Sequence, residues 1–292
     1  MTIGLDANTQ AFQEPQDGKI TAPAIPSDAW RMRHQQRKVH EIPTGLDAAW
    51  HYAAGVFTQW IPRRKIYLRH AAAVQVAKGK IKNLTDDRLR EQLTEISILF
   101  RRRREQLADR IRAAALICEA SKRIVGQDPY KVQIAGGLAL ADGCLLEMAT
   151  GEGKSLTATI PAILVGWQGR GIHIITVNDY LAARDAQQFA ALYKFCGLSV
   201  DYVAQEMDPM RRKKAYLAHI TYCTNKEVCA DYLRDRLSAA PDNAPNGAAQ
   251  SSADQLRQRQ TQRELYFAIV DEADSILIDE AVTPLIISGA EG

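Results

Sequence analysis

Ala149-Thr150-Gly151-Glu152-Gly153-Lys154-Ser155 is the stretch whose reading decides the fold. An apolar run, Cys144 to Met148, precedes it and reads as a strand. A second run, Leu156 to Trp167, follows and reads as a helix. A glycine loop between a strand and a helix is the setting in which backbone N–H groups converge on phosphate. Gly151 and Gly153 allow the tight turn, and the helix N-terminus adds partial positive charge. Lys154 is expected to reach the β and γ phosphates of ATP, and the Ser155 hydroxyl to hold Mg²⁺. Thr150 and Glu152 complete the cofactor-binding loop. Met148 stands where the commoner pattern has its first glycine, so the match is to the variant with a single Gly-x-Gly-Lys.

Downstream, short apolar runs alternate with helical patterns. Candidate strands are 144–148, 172–177, 200–204, 220–223, 266–270 and 285–287. Such alternation predicts an α/β fold with a parallel sheet covered on both faces. Asp271-Glu272-Ala273-Asp274 follows the fifth of these runs directly. Acids at the C-terminal end of a buried strand lie at the sheet edge that would also carry the glycine loop. Asp271 is expected to orient a Mg²⁺-bound water, and Glu272 to polarise the attacking water. Gln133 carries a donor and an acceptor on one amide, which suits the edge of adenine, and Tyr130 offers a ring to stack on the base.

Composition places limits on other readings. The 292 residues are 46% hydrophobic and 24% charged, the balance of an ordinary globular protein. A net charge of +3 does not by itself call for nucleic acid or an anionic surface. Five cysteines, none in a C-x-x-C pair, argue for reduced thiols over a disulfide framework or a zinc site. The N-terminus lacks a basic start followed by an apolar stretch, so no leader is expected.

Residues 1–28 read as a mobile tail. Residues 29–83 form a divergent basic-aromatic region. Within 30–70, eight Lys or Arg face two acids and are interleaved with Trp30, Trp50, Trp60, Tyr52 and Tyr67. Either a solvated helical surface or an arm touching anionic lipid would have this composition. From Leu84 to Val125 the pattern is helical, with Thr85 as N-cap and Leu89, Leu93, Ile96 and Phe100 on one face. Leu107, Ile111, Ala115 and Cys118 continue it, and Arg101 to Arg104 interrupt as a solvated helical stretch. Residues 239–262, rich in Ala, Pro, Asn, Ser and Gln, read as a flexible surface insertion.

Four runs carry a specific resemblance: GEGKSLTATIPA, TVNDYLAARDA (176–186), ITYCTNKEVCADYLRD (220–235) and VDEADSILIDEAVTPLIISG (270–289). Together with EASKRIVGQ (119–127), they resemble the SecA preprotein translocase ATPase family, covering roughly 84–289. The resemblance implies a RecA-like P-loop NTPase lobe, preceded by a helical N-terminal region. It also implies ATP with Mg²⁺ as cofactors, and the SecYEG translocon and unfolded preproteins as partners. The implied location is cytoplasmic, peripheral at the inner face of the cell membrane, and no nucleic acid is expected. Carried over by residue, Gln133 would contact adenine. Thr150 to Ser155 would hold phosphate, Ser155 and Asp271 the metal, and Asp271 and Glu272 would serve hydrolysis.

Departures from the family pattern are Ala149 for an Arg, Ser155 for a Thr, Val282 for an Arg, and Cys223 and Lys226 for a Gly and an Asn. Residues 1–75 carry no quotable likeness. The family's motors continue into a second RecA-like lobe that closes the cleft. An isolated chain without one is expected to hydrolyse ATP slowly or not at all. Two other readings stay open on the residues: a nucleic-acid helicase-like remodelling ATPase, and a non-catalytic nucleotide-binding fragment.

Overall fold

In a computed structural model, residues 44–59, 62–238, 260–263 and 265–280 are described. Among the described residues helices come first: α1 (Leu46–Gln59), α2 (Arg63–Ile81), α3 (Asp86–Arg101), α4 (Leu107–Ile124) and α5 (Lys131–Ala141). After them come α6 (Lys154–Gly166), β1 (Ile172–Thr176), α7 (Asp179–Phe195), β2 (Val200–Tyr202) and α8 (Pro209–Tyr216). The chain continues as β3 (Ile220–Thr224), α9 (Asn225–Ser238), β4 (Phe267–Val270) and a π-helical turn, Ser275–Asp279.

The start of α3 follows from its residues. The Thr85 side chain accepts from the Arg88 N–H, and Asp86 and Asp87 occupy the first turn, where the helix dipole favours negative charge. Leu89, Leu93, Ile96 and Phe100 are buried, so the three-to-four spacing marks the core face. Arg101 ends α3, and Arg102 to Arg104 form the exposed link to α4, with Arg103 at φ 51°. The four arginines are solvated as expected, but only the first is helical. A left-handed residue cannot continue a right-handed helix. Leu107, expected on the apolar face of α4, is half exposed, because it opens the helix beyond the packed stretch Ala113–Ser121.

Arg123 anchors the far end of α4. Its guanidinium donates to the Leu84 carbonyl at 2.8 Å, to Asp86 at 2.9 Å and to Glu119 at 2.8 Å. Residues Ala71, Val74 and Ile81 of α2 belong to the same core as α4 and α5, so that core extends upstream of Leu84. Trp50 and Tyr52 on α1 are exposed, while Trp30 and Trp60 lie outside the described residues.

Among the described residues the sheet has four parallel strands in the order β2-β3-β1-β4. Ile172 of β1 lies level with Ile220 of β3 and Phe267 of β4. Strands alternating with α7, α8 and α9 give the parallel RecA-like α/β arrangement expected from the sequence. One face packs Ile172, Ile174, Ile220 and Tyr222 into the main core with α6 and α7. The other packs Cys223 with Val203, Ala215 and Tyr216 beneath α8 and α9.

Two sequence expectations are corrected. Cys144–Met148 is not a strand: among the described residues it pairs with none. The Cys144 N–H turns back to the Ala139 carbonyl at 3.0 Å, Gly143 ends α5 at φ 73°, and the Leu145 side chain is 90% exposed. A segment whose first donor closes a helix end leaves as an extended link. The end of the 239–262 insertion is also fixed. Asp235 accepts from the N–H groups of Thr261 and Gln262 at 2.8 Å, and the Gln262 amide donates to the Val228 carbonyl at 2.7 Å. Residues 239–259 and the predicted strand 285–287 lie outside the described residues.

Candidate nucleotide site

The site begins with a close helix pair. Gly136 and Gly137 on α5 have no side chains, which lets α6 approach. A Cβ at Gly137 would lie 2.9 Å from the Cβ of Ile160 and 3.1 Å from the Thr157 carbonyl oxygen. That carbonyl stands four residues before Pro161, whose ring nitrogen cannot donate to it. The short interhelical distance brings the start of α5 against the loop before α6.

Gln133 makes the connection. Its Oε1 accepts from the Tyr130 N–H at 2.8 Å, and its Nε2 donates to the Glu152 carbonyl at 2.8 Å. The side chain is buried, whereas the Tyr130 ring beside it is 74% exposed. The residue expected to face adenine thus also braces the glycine loop. Each end of the amide keeps one unused hydrogen-bonding position.

Gly151 and Gly153 adopt φ 85° and 79°, the left-handed region that residues with a Cβ avoid. Gly153 is the N-cap of α6, and Lys154 is its first residue. A Cβ at Gly153 would stand 2.5 Å from the Gln133 amide nitrogen. Gly153→Ala is therefore expected to cost about 1–2 kcal/mol of stability from the left-handed backbone and to loosen the Gln133 brace. Nucleotide affinity should fall about tenfold, the equivalent of about 1.4 kcal/mol. Denaturant unfolding and calorimetric titration measure the two effects, and an unchanged variant would contradict the brace.

The second half of the site stands at the C-terminal end of β4. The Asp271 N–H donates to the Ile175 carbonyl at 2.9 Å, which fixes the acid beside the end of β1. Burial, and then the charge of Glu272, push the Asp271 carboxyl above its ordinary value, while Lys154 pulls it down. The loop lysine and the strand-end acid therefore share one electrostatic environment. Glu272 has φ 56°, one of two non-glycine residues in the left-handed region among the described residues. Such a conformation costs on the order of 1 kcal/mol and is held by its surroundings.

Sequence reasoning gave Arg184 and Asp185 no role. Asp185 is 4% exposed on the sheet-facing side of α7 and accepts from Arg184 Nε at 2.7 Å. Its charge is one of those raising Asp271. The adjacent Arg-Asp pair within 176–186 was the available signal. Two other residues of that run build the turn into α7. Asn178 caps the helix by accepting from the Leu181 N–H at 2.8 Å, and Asp179 accepts from the Gln205 N–H at 2.8 Å.

The departures also find places. Lys226 pairs with Glu280 at 3.3 Å, so its charge ties the start of α9 to the segment after the acid pair. Cys223 is buried, and Ala149 is exposed at the loop entrance. Val282 lies outside the described residues.

Two glycines in the left-handed region, an exposed Lys154, a half-buried Ser155 and an acid raised by burial fit a nucleotide phosphate with a divalent cation. The family model described as the SecA DEAD-like domain matches residues 58–292. The chain belongs to the SecA DEAD-like family. The match begins upstream of Leu84, in a region where no likeness was legible from the sequence alone.

Relatives within the family include a protein of Chlorobium chlorochromatii named protein translocase subunit SecA 2. It is 42% identical over 268 residues, covering 90% of this chain and 40% of the relative. Proteins named protein translocase subunit SecA are 48% identical in Carboxydothermus hydrogenoformans and 51% identical in Nitrosococcus oceani. Those matches cover 72% and 61% of this chain, and 22% and 18% of the relatives. The chain thus spans well under half the length of these relatives. None of the described helices is long and apolar enough to cross a membrane.

Proposed function

We propose that this chain is the first nucleotide-binding lobe of a SecA-type motor, which binds ATP with Mg²⁺ and couples hydrolysis to export of unfolded preproteins through the SecYEG channel. The observation that carries the reading is the meeting of two motifs at one sheet edge. Lys154, at the start of α6, lies within electrostatic reach of Asp271, which is fixed to the end of β1.

In this reading the backbone N–H groups of Thr150 to Gly153 cradle the phosphates, and Lys154 offsets the β and γ charge. The Ser155 hydroxyl and Asp271 hold Mg²⁺, which when bound would offset phosphate charge and bind water. Glu272 orients the attacking water and accepts its proton. Gln133 braces Glu152 and offers its remaining donor and acceptor to adenine, with Tyr130 alongside for stacking. The motor would work at the inner face of the cell membrane, where the basic-aromatic segment before α3 meets anionic lipid.

Steady-state ATP turnover tests the assignment, with Glu272→Gln as the blank. The 292-residue polypeptide by itself is expected to turn over more slowly than about 1 s⁻¹, since γ-phosphate charge is normally stabilised from both sides of a closed cleft. Glu272→Gln should lower that rate by about 10²-fold or more and leave ATP affinity unchanged. Equal rates in the two proteins would remove Glu272 from the chemistry.

A further inference from the structure

β1 lies between β3 and β4, and all three end at the edge of the sheet that carries Asp271. α9 starts directly after the last residue of β3, and the segment 271–280 starts directly after the last residue of β4. That segment is tied at both ends. The Asp271 N–H is held by the Ile175 carbonyl of β1. At the far end, the Asn225 side-chain amide donates to one oxygen of Glu280, and the Lys226 ammonium stands 3.3 Å from the other. The hydrogen bond from Asn225, and then Lys226, hold the Glu280 carboxyl below its ordinary value, so it is ionised at neutral pH. Between the two ties the backbone is braced. The Ile276 N–H donates to the Glu272 carbonyl at 3.1 Å, and the Glu280 N–H donates to the Ser275 carbonyl at the end of the π-helical turn. Turns of this kind are rare and occur mostly at functional sites. Glu272 stands at the base of the turn with φ 56°, a backbone state that a residue with a Cβ keeps only where its surroundings hold it.

We propose that Asn225, Lys226 and Glu280 are positioning residues for hydrolysis: they clamp the turn that keeps Glu272 in its left-handed conformation, and so aim its carboxylate at the attacking water. The proposal rests on the reading of Glu272 as the water-orienting acid. Glu280 is joined to Glu272 through the two backbone hydrogen bonds of the turn, so a grip on the first is felt at the second. Without the grip the turn is free to swing from α9, and Glu272 relaxes to the right-handed region with its carboxylate aimed elsewhere. The glycine loop stands on α5 and α6, so nucleotide affinity does not depend on the clamp. Lys226 is one of the departures from the family pattern, so the charged half of the clamp belongs to this chain.

Single-turnover hydrolysis of Mg·ATP, with protein in excess, reads the step even where steady-state turnover is slow. Glu280→Ala should lower the plateau rate about tenfold and leave the half-saturating concentration unchanged. Amide hydrogen exchange across 272–280 should become at least about tenfold faster. Lys226→Glu sets two carboxylates face to face and should slow the plateau in the same way. Adding Glu280→Lys should restore most of the rate, because the pair is reversed and the Asn225 amide can turn its Oδ1 to the new ammonium. That rescue separates a lost clamp from a misfolded variant. In the Glu272→Gln background, Glu280→Ala should cost nothing further, since the clamp acts through Glu272. Parent-like rate and exchange in Glu280→Ala, no rescue by the reversed pair, or an equal loss in both backgrounds would each overturn the proposal. A parent-like rate in Glu272→Gln would instead fault the reading of Glu272 itself, with the exchange rates still deciding whether the clamp holds the turn.

Discussion

Replacing Lys154 with alanine is expected to weaken ADP and Mg·ATP binding by about 10- to 100-fold. Lys154 is the first residue of α6, exposed at the mouth of the loop, and its charge is felt at Asp271. A charge-assisted hydrogen bond from a fixed ammonium to phosphate contributes about 1.5–3 kcal/mol in a mutational series, and each 1.4 kcal/mol is a factor of ten in affinity. The alanine variant also removes the positive charge that offsets Asp271. Titration calorimetry reads the effect directly. Stability should hardly change, because the lysine head is solvated and anchors no buried group. Equal affinity in the variant and the parent chain would defeat the phosphate-loop assignment.

The second large effect lies in the scaffold. Arg212→Leu is expected to destabilise the chain by about 3–5 kcal/mol, the cost of removing one partner from a buried ionic network. Arg212 is 5% exposed beneath α9. Its guanidinium pairs with Glu227, and with Asp231 at 2.9 Å, and donates to the carbonyls of Ala204, Gln205 and Met207. Burial works against the charge, but the bonds to Glu227 and Asp231 outweigh it and hold the guanidinium above its ordinary value. Tyr216 adds a donor to Asp231 at 2.9 Å. Leucine would leave Glu227 and three carbonyls without their cation, and would leave Asp231 with Arg234 at 2.8 Å and Tyr216. Urea unfolding measures the loss. A loss under about 1 kcal/mol, the range of an exposed pair, would contradict this account of the network.

Much of this architecture was legible in residue order. The spacing of Leu89, Leu93, Ile96 and Phe100 gave the buried face of α3, and Thr85 gave its start. The runs around 172, 200, 220 and 267 became the four strands, each within two residues of the expected bounds. What failed did so for local reasons. Cys144–Met148 has a strand-like composition, yet pairing depends on a neighbour that composition does not supply, and the Cys144 N–H was already used to close α5. Thr261 and Gln262 look like the end of a polar insertion. Their anchor is Asp235, on the other side of a long intervening stretch, and no periodicity reports such a contact.

The candidate site was legible in its parts and less so in its connections. Glycines flanking a Gly-x-Gly-Lys and acids after an apolar run carry their chemistry in the residue types alone. The brace from Gln133 to Glu152 depends on how closely α5 and α6 approach. That closeness is set by Gly136 and Gly137, which in sequence are two helix-weakening residues without an evident purpose. The buried Asp185 is similar. An acid in a helix usually reads as solvated surface, and only the tertiary fold shows it turned toward the sheet.

The glycine loop and the acid at the end of β4 are proposed to form one Mg²⁺–nucleotide site. Calorimetric titration of ATP with and without Mg²⁺, in the parent chain and in Asp271→Asn, tests it most directly. If the two halves act together, Mg²⁺ should tighten ATP binding at least about tenfold in the parent chain, or about 1.4 kcal/mol. That gain should largely vanish in Asp271→Asn, while metal-free affinity stays the same. An equal Mg²⁺ gain in both proteins would separate Asp271 from the metal and contradict the shared site.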